Sequence, residues 1–185
     1  MKLTRRSTLA DVAAVVAAAL HQAGISAVLT GSACATLYSA GRYQSRDLDF
    51  VVRSGGTRVT LDRAMASAGF SRQGDRYVHP ATPFFVDFPR GPLTIGDDFE
   101  IKPIRLKLRR GAAIALSATD ACRDRLAAFY YWSDRQSLSV AVQIGLRQRL
   151  NMSAIRRWSR HEGAEEKFEE FRTDLARARR NRGQI

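Results

Sequence analysis

The hydrophobic periodicity of this chain changes character once, near residue 117, and that change limits the folds open to it. Before it, short runs rich in β-branched and aromatic residues alternate with helical stretches, whereas after it only helical periodicity remains. Strands interleaved with helices call for a sheet covered by helices, and a purely helical continuation calls for helices packed on one another. The expectation is an α/β (α+β) chain: a mixed β-sheet core with flanking helices over residues 1–116, then a helical bundle over 117–185. The chain has 185 residues, 45% of them hydrophobic, enough for one such core with a helical appendage.

Within the first part, Leu9, Val12, Ala13, Val16 and Leu20 fall on one helical face, with Ser7 or Thr8 as cap and Asp11 complementing the dipole. The basic start, Arg5-Arg6, followed by an apolar run has the outline of a targeting signal, but Asp11 interrupts the run and the helical offsets favour a folded amphipathic helix. No segment reaches the length of a membrane span, and a cytoplasmic protein with no membrane partner is expected. Residues 25–29 read as a buried strand, 33–40 as a small-residue helix closed by Gly41, and 45–53 as a strand alternating about Leu48, Phe50 and Val52. A helix follows over 57–67, a hairpin around Gly74-Asp75, and a strand over 84–88. Residues 94–116 read as one or two strands interrupted at Arg109-Arg110-Gly111. In the helical part, Thr119-Asp120 is expected to cap a helix running to about Trp132. Asp134 opens another running to about Arg149, and a last helix from about Glu165 carries Phe168, Phe171 and Leu175 on one face.

Cys34 and Cys122 sit far apart in apolar helical stretches and read as buried, reduced thiols; His21, His79 and His161 lack a second ligand at metal spacing. The residues that suggest chemistry are acidic. Asp47-Leu48-Asp49 places two carboxylates on one face of a strand while Leu48 points into the core. Clustered carboxylates repel unless a cation joins them, and hard oxygen ligands at this spacing suit Mg²⁺ bound together with substrate phosphates. Gly31-Ser32 ends one strand and opens a helix, with fourteen residues between it and Asp47. There a glycine lets phosphate oxygens approach the backbone, the hydroxyl donates to them, and the helix N-terminus adds positive partial charge. Asp87, between Val86 and Phe88, is a carboxylate in an otherwise buried strand; it calls for a metal, a proton to be taken from an attacking hydroxyl, or an Arg partner. Ser45, two residues before Asp47, shares the face of both carboxylates and is a candidate regulatory position, because a phosphate there would add about −1.5 to −2 charge beside the metal site.

The segments Leu29-Thr30-Gly31-Ser32 and Asp47-Leu48-Asp49-Phe50 together resemble the signature of the DNA polymerase β-like nucleotidyltransferase superfamily. The run from Gly31 through Tyr38, continued by Arg42-Tyr43-Gln44-Ser45-Arg46 into Asp47, is most similar to the AbiEii-type toxins and their small relatives. This resemblance implies transfer of a nucleoside monophosphate from an NTP with Mg²⁺, and release of pyrophosphate. It implies Asp47, Asp49 and Asp87 as metal ligands and catalytic carboxylates, with Gly31, Ser32 and Arg46 about the nucleotide. Related toxins place a basic and an acidic residue in the helical half. Asp124-Arg125 with Asp134-Arg135 is one candidate for that pair, making Arg125 a nucleotide-binding candidate; surface charges on packed helices are the other reading. The implied acceptor is a macromolecule, tRNA or another RNA first, with protein hydroxyls as the rival and a small molecule also open; a catalytically inactive nucleic-acid- or protein-binding module that keeps the fold is the alternative from another class, and the implied partner is an antitoxin protein.

The formal charge of +12 agrees with a polyanionic partner. Lys102, Arg105, Lys107, Arg109 and Arg110 fall within nine residues free of acids. They read either as a stripe that follows an RNA backbone or as an edge strand defended by charge. Arg147, Arg149, Arg156, Arg157 and Arg160 form a second basic region, in which Trp158 is expected to pack.

Overall fold

The computed structural model describes residues 2–182. In chain order the elements are α1 (Leu9–Gln22), β1 (Ser26–Thr30), α2 (Gly31–Tyr38), β2 (Asp47–Ser54), α3 (Arg58–Ser67), β3 (Ser71–Gln73), β4 (Arg76–Val78), β5 (Phe85–Asp87), β6 (Ile104–Leu108), β7 (Gly111–Ala115), α4 (Ala118–Trp132), α5 (Arg135–Arg147), α6 (Met152–His161) and α7 (Glu165–Arg182). The chain divides into two compact units. One comprises Met1–Ala33, Gln44–Leu93 and Lys102–Ser117; the other comprises Cys34–Tyr43, Thr94–Ile101 and Ala118–Ile185.

The first unit holds the sheet, a seven-stranded mixed array in the order β3-β4-β5-β2-β1-β7-β6. Strands β1 and β2 are antiparallel, whereas β1 with β7 and β2 with β5 are parallel. Register decides which residues share a face, because paired residues project to the same side. Ala113 and Ala115 of β7, Leu29 of β1, Leu48 and Phe50 of β2, Val86 of β5 and Tyr77 of β4 fall on one side. That side carries α1 and α3. A Cβ built on Gly111 would stand 3.3 Å from the Ala14 methyl, and the Tyr77 hydroxyl donates to Asp62 of α3 at 2.6 Å. All seven of those sheet residues are buried, as are Val12, Val16 and Leu20 of α1 and Met65 of α3.

Local chemistry sets the helix ends as expected for α1. The Thr8 hydroxyl accepts from the Asp11 N–H at 3.2 Å, and the Asp11 carboxylate accepts from the Thr8 N–H at 2.9 Å, a reciprocal capping box. Thr57 and Thr60 repeat the arrangement at α3. Residues 104–115 form a hairpin, with the turn at Arg109-Arg110.

In the second unit, Phe168, Phe171 and Leu175 are buried along α7, and the Asp134 carboxylate caps α5 by accepting from the Gln136 and Ser137 N–H groups. Two details differ from the sequence expectation. Helix α4 starts at Ala118, so Asp120 lies in its first turn, and the Thr119 hydroxyl accepts the Asn151 N–H at 3.1 Å. The basic stretch after Arg149 contains a separate helix, α6, with Asn151 as N-cap and Ile155, Trp158 and Ser159 buried. Trp158 packs, as expected. Its ring stacks on Tyr130 with centroids 5.3 Å apart, and its Nε1–H donates to the Ile95 carbonyl at 3.2 Å.

Segment 94–101 belongs to this helical unit for a physical reason. Besides the Trp158 bond, Asp98 pairs with the buried Arg123 guanidinium, which also bonds Asp120 at 2.9 Å, and the Asp97 N–H donates to Glu162 at 3.0 Å. Cys34 and Cys122 are both buried and form no disulfide. No helix among the described residues is long and apolar enough to cross a membrane.

Candidate active site

The sheet face opposite α1 and α3 carries the acidic residues. In β2, Asp47 and Asp49 alternate with the fully buried Leu48, so both project to this side. In the parallel β2/β5 pair, Asp49 stands opposite Asp87, and Asp47 opposite Phe85. Three carboxylates separated in sequence by as many as 40 positions (87 − 47) thereby lie on adjacent strands of one face. The pairing is anchored where the Phe85 N–H donates to the Arg46 carbonyl at 2.9 Å, while Arg46 itself is exposed.

Gly31 follows Thr30, the β1 partner of Asp49, and opens α2 with φ +61°. A Cβ there would stand 2.5 Å from Asp49 Oδ2. The position is closed to side chains twice over, by its left-handed backbone and by the carboxylate against it. Ser32, next in the helix, is buried, and its hydroxyl donates to Asp47 Oδ1 at 3.0 Å. The Ser45 hydroxyl, also buried, donates to the same oxygen and lies 2.8 Å from the Ser32 hydroxyl. Two hydroxyl protons therefore serve three short oxygen contacts, and the pair of serines fixes the Asp47 carboxylate.

Burial raises the affinity of Asp87 for its proton, and the nearby Asp47 and Asp75 charges act in the same direction while Arg76 opposes them. Arg76, in β4, stands opposite Asp87, and its guanidinium lies over the Phe85 ring, 4.3 Å from the centroid. An Arg partner is one of the options that sequence leaves open for Asp87, without indicating which arginine. Residues 70–79 read as a hairpin from sequence alone, but nothing local announces that β4 pairs with β5.

As to a metal, among the described residues no three His, Cys, Asp or Glu side chains converge into a preformed cage. The donors are nonetheless hard oxygens of the kind Mg²⁺ takes, and that ion binds through one or two carboxylates completed by substrate phosphates and water. The donor set fits it on those terms.

The remaining candidates are placed as follows. Arg105 and Lys107 of β6 pair with Ile114 and Ala112 of β7, which puts them on the same sheet face as the three carboxylates, but on an edge strand whereas the carboxylates lie on the inner strands β2 and β5. Lys102, Arg109 and Arg110 are exposed beside that strand, and Arg110 Nε lies 3.8 Å from Asp11. Arg125 belongs to the helical unit and is ion-paired to Asp124 at 2.6 Å, while Asp134 caps α5 and Arg135 pairs with Glu170.

No family model matches the chain, and no curated protein matches it. Among solved structures it is similar to an antigenic nucleotidyltransferase-like protein from Paracoccidioides brasiliensis, with a TM-score of 0.60 and 16% identity over 78% of each chain. The mixed seven-stranded sheet, its flanking helices and the helical C-terminal region are thus a nucleotidyltransferase-like fold.

Proposed function

We propose that this protein is a nucleotidyltransferase that moves a nucleoside monophosphate from an NTP to a hydroxyl of a macromolecule. The observation that supports it is the register of β2 with β5. Asp49 faces Asp87 with Asp47 on the same side, and the side-chain-free Gly31 lies against the Asp49 carboxylate at the N-terminus of α2. In this reading the Gly31-Ser32 turn holds the β- and γ-phosphates, using backbone N–H groups and the helix dipole. The acceptor hydroxyl oxygen attacks the α-phosphorus, a new O–P bond forms, and the bond to the bridging oxygen breaks, so pyrophosphate leaves. Asp87 takes the hydroxyl proton. Asp47, Asp49 and Asp87 would hold Mg²⁺, which when bound supplies charge neutralisation for the triphosphate.

The acceptor in this reading is RNA, with tRNA first, because Arg105 and Lys107 share the carboxylate face and the chain carries +12. The similarity of its Gly-Ser and Asp-Leu-Asp segments to AbiEii-type proteins extends the proposal to a toxin held by an antitoxin partner. The test incubates the protein with each labelled NTP, Mg²⁺ and either total RNA or a cell lysate. Asp49→Ala should abolish transfer without lowering the melting temperature. Unchanged turnover in folded Asp49→Ala protein defeats the assignment. Label that survives ribonuclease and yields to protease redirects the acceptor from RNA to protein.

A further inference from the structure

Among the described residues, Arg76 is the cation that the sheet register places directly beside the acidic cluster, opposite Asp87, and its arrangement is that of a group waiting for an anion. Across the sheet face the order runs from Thr30 of β1, which Gly31 follows, through Asp49 of β2 and Asp87 of β5, to Arg76 of β4. Neighbouring positions in that row are about 5 Å apart. The guanidinium carbon lies over the Phe85 ring, 4.3 Å from its centroid. Among the described residues it forms no ion pair with a carboxylate within 4.0 Å, although Asp87 is its cross-strand neighbour. A guanidinium held over an aromatic ring spends no N–H donor on a carboxylate, so its donors stay available in the fork geometry that matches a phosphate.

The order across the sheet decides which phosphate. In an in-line displacement the leaving group and the attacking oxygen lie on opposite sides of the phosphorus. Given the nucleotidyltransferase reading above, on which this step rests, pyrophosphate departs on the Gly31 side and the acceptor hydroxyl arrives on the Asp87 side. Arg76 is the next residue beyond Asp87 in that direction. We infer that Arg76, braced on Phe85, is an acceptor-positioning residue that grips the backbone phosphate next to the attacking terminal hydroxyl of a nucleic acid. It contributes to acceptor binding and leaves NTP binding to the Gly31 side.

The test uses the full chain with Mg²⁺ and two probes: a fluorescent single-stranded RNA oligonucleotide with a free 3′-hydroxyl, and a fluorescent NTP analogue. Arg76→Ala should weaken oligonucleotide binding about tenfold and lower the slope of log affinity against log salt by about 0.7, the loss of one single-strand phosphate contact. NTP-analogue affinity and melting temperature should stay at the wild-type value, since the side chain is exposed. Arg76→Lys should restore the salt slope but only part of the affinity, because a point charge replaces the fork. Replacing the last phosphodiester of the oligonucleotide by an uncharged methylphosphonate should bring wild type down to the Arg76→Ala level and leave that variant unaffected. Equal oligonucleotide binding by wild type and Arg76→Ala overturns the inference, as does an additive loss from the methylphosphonate in that variant. A parallel loss of NTP affinity would assign Arg76 to the nucleotide instead. A wild-type protein that binds the oligonucleotide but no NTP refutes the nucleotidyltransferase reading itself.

Discussion

At Gly31 the backbone takes φ +61° and the space where a Cβ would stand is filled by Asp49 Oδ2 at 2.5 Å. Gly31→Ala should therefore cost about 1–2 kcal/mol from the left-handed conformation alone. It should also displace the Asp49 carboxylate, which the stability change does not report. Urea unfolding measures the first effect, and the rate of labelled-nucleotide transfer measures the second; a variant with wild-type transfer would separate Gly31 from the site. The Asp-x-Asp pair and the Gly-Ser turn were legible in sequence because strand alternation and turn chemistry are local. The bonding of Ser32 and Ser45 to one oxygen of Asp47 was not legible, since it depends on how α2 and β2 meet. Both hydroxyls are buried, so Ser45 stands as a support of Asp47 whatever else acts on it.

Among the elements, those with strong caps and long periodic faces, such as α1, α3, α5 and α7, follow from the sequence with small boundary shifts. Helix α6 did not stand out, because four arginines in and beside it obscured an apolar face of only Ile155 and Trp158. The 94–101 segment lacks any periodicity, and it is positioned by side chains distant in sequence, above all the Asp98–Arg123 pair. That pair gives a pH prediction. The Arg123 hydrogen bond holds the Asp98 carboxyl below its ordinary value despite the opposing effect of burial. A carboxylate with a depressed folded pKa stabilises the fold above its unfolded value, near 4, and that contribution is lost as pH falls through the folded value. The melting-temperature gap between wild type and Asp98→Asn should hold from about pH 5 to 7 and close progressively below about pH 4. A gap independent of pH across that range would show that the charge on Asp98 contributes nothing.

For the whole molecule, the +12 charge sets the expectation of a polyanionic partner, but only sheet register divides the basic residues by face. Arg105 and Lys107 lie on the carboxylate face, whereas Arg110 approaches the capping box of α1. Arg105→Ala with Lys107→Ala should therefore reduce the salt slope of RNA binding by about one to two units. Arg110→Ala should act chiefly on thermal stability. Anisotropy titrations across a salt series, read beside melting curves, distinguish the two, and an unchanged slope in the double variant would remove β6 from the RNA-binding surface. The sequence by itself determined what depends on neighbours within a few residues: the alternating strands, the caps, the Gly-Ser turn, the same-face carboxylates of β2, and the change to helix near residue 117. Tertiary structure alone decided the parallel pairing that sets Asp87 opposite Asp49, the place of Arg76 beside them, and the attachment of 94–101 to the helices. Those outcomes rest on hydrogen bonds and ion pairs between separate segments of the chain, from neighbouring strands to partners 63 residues apart, which no local periodicity encodes.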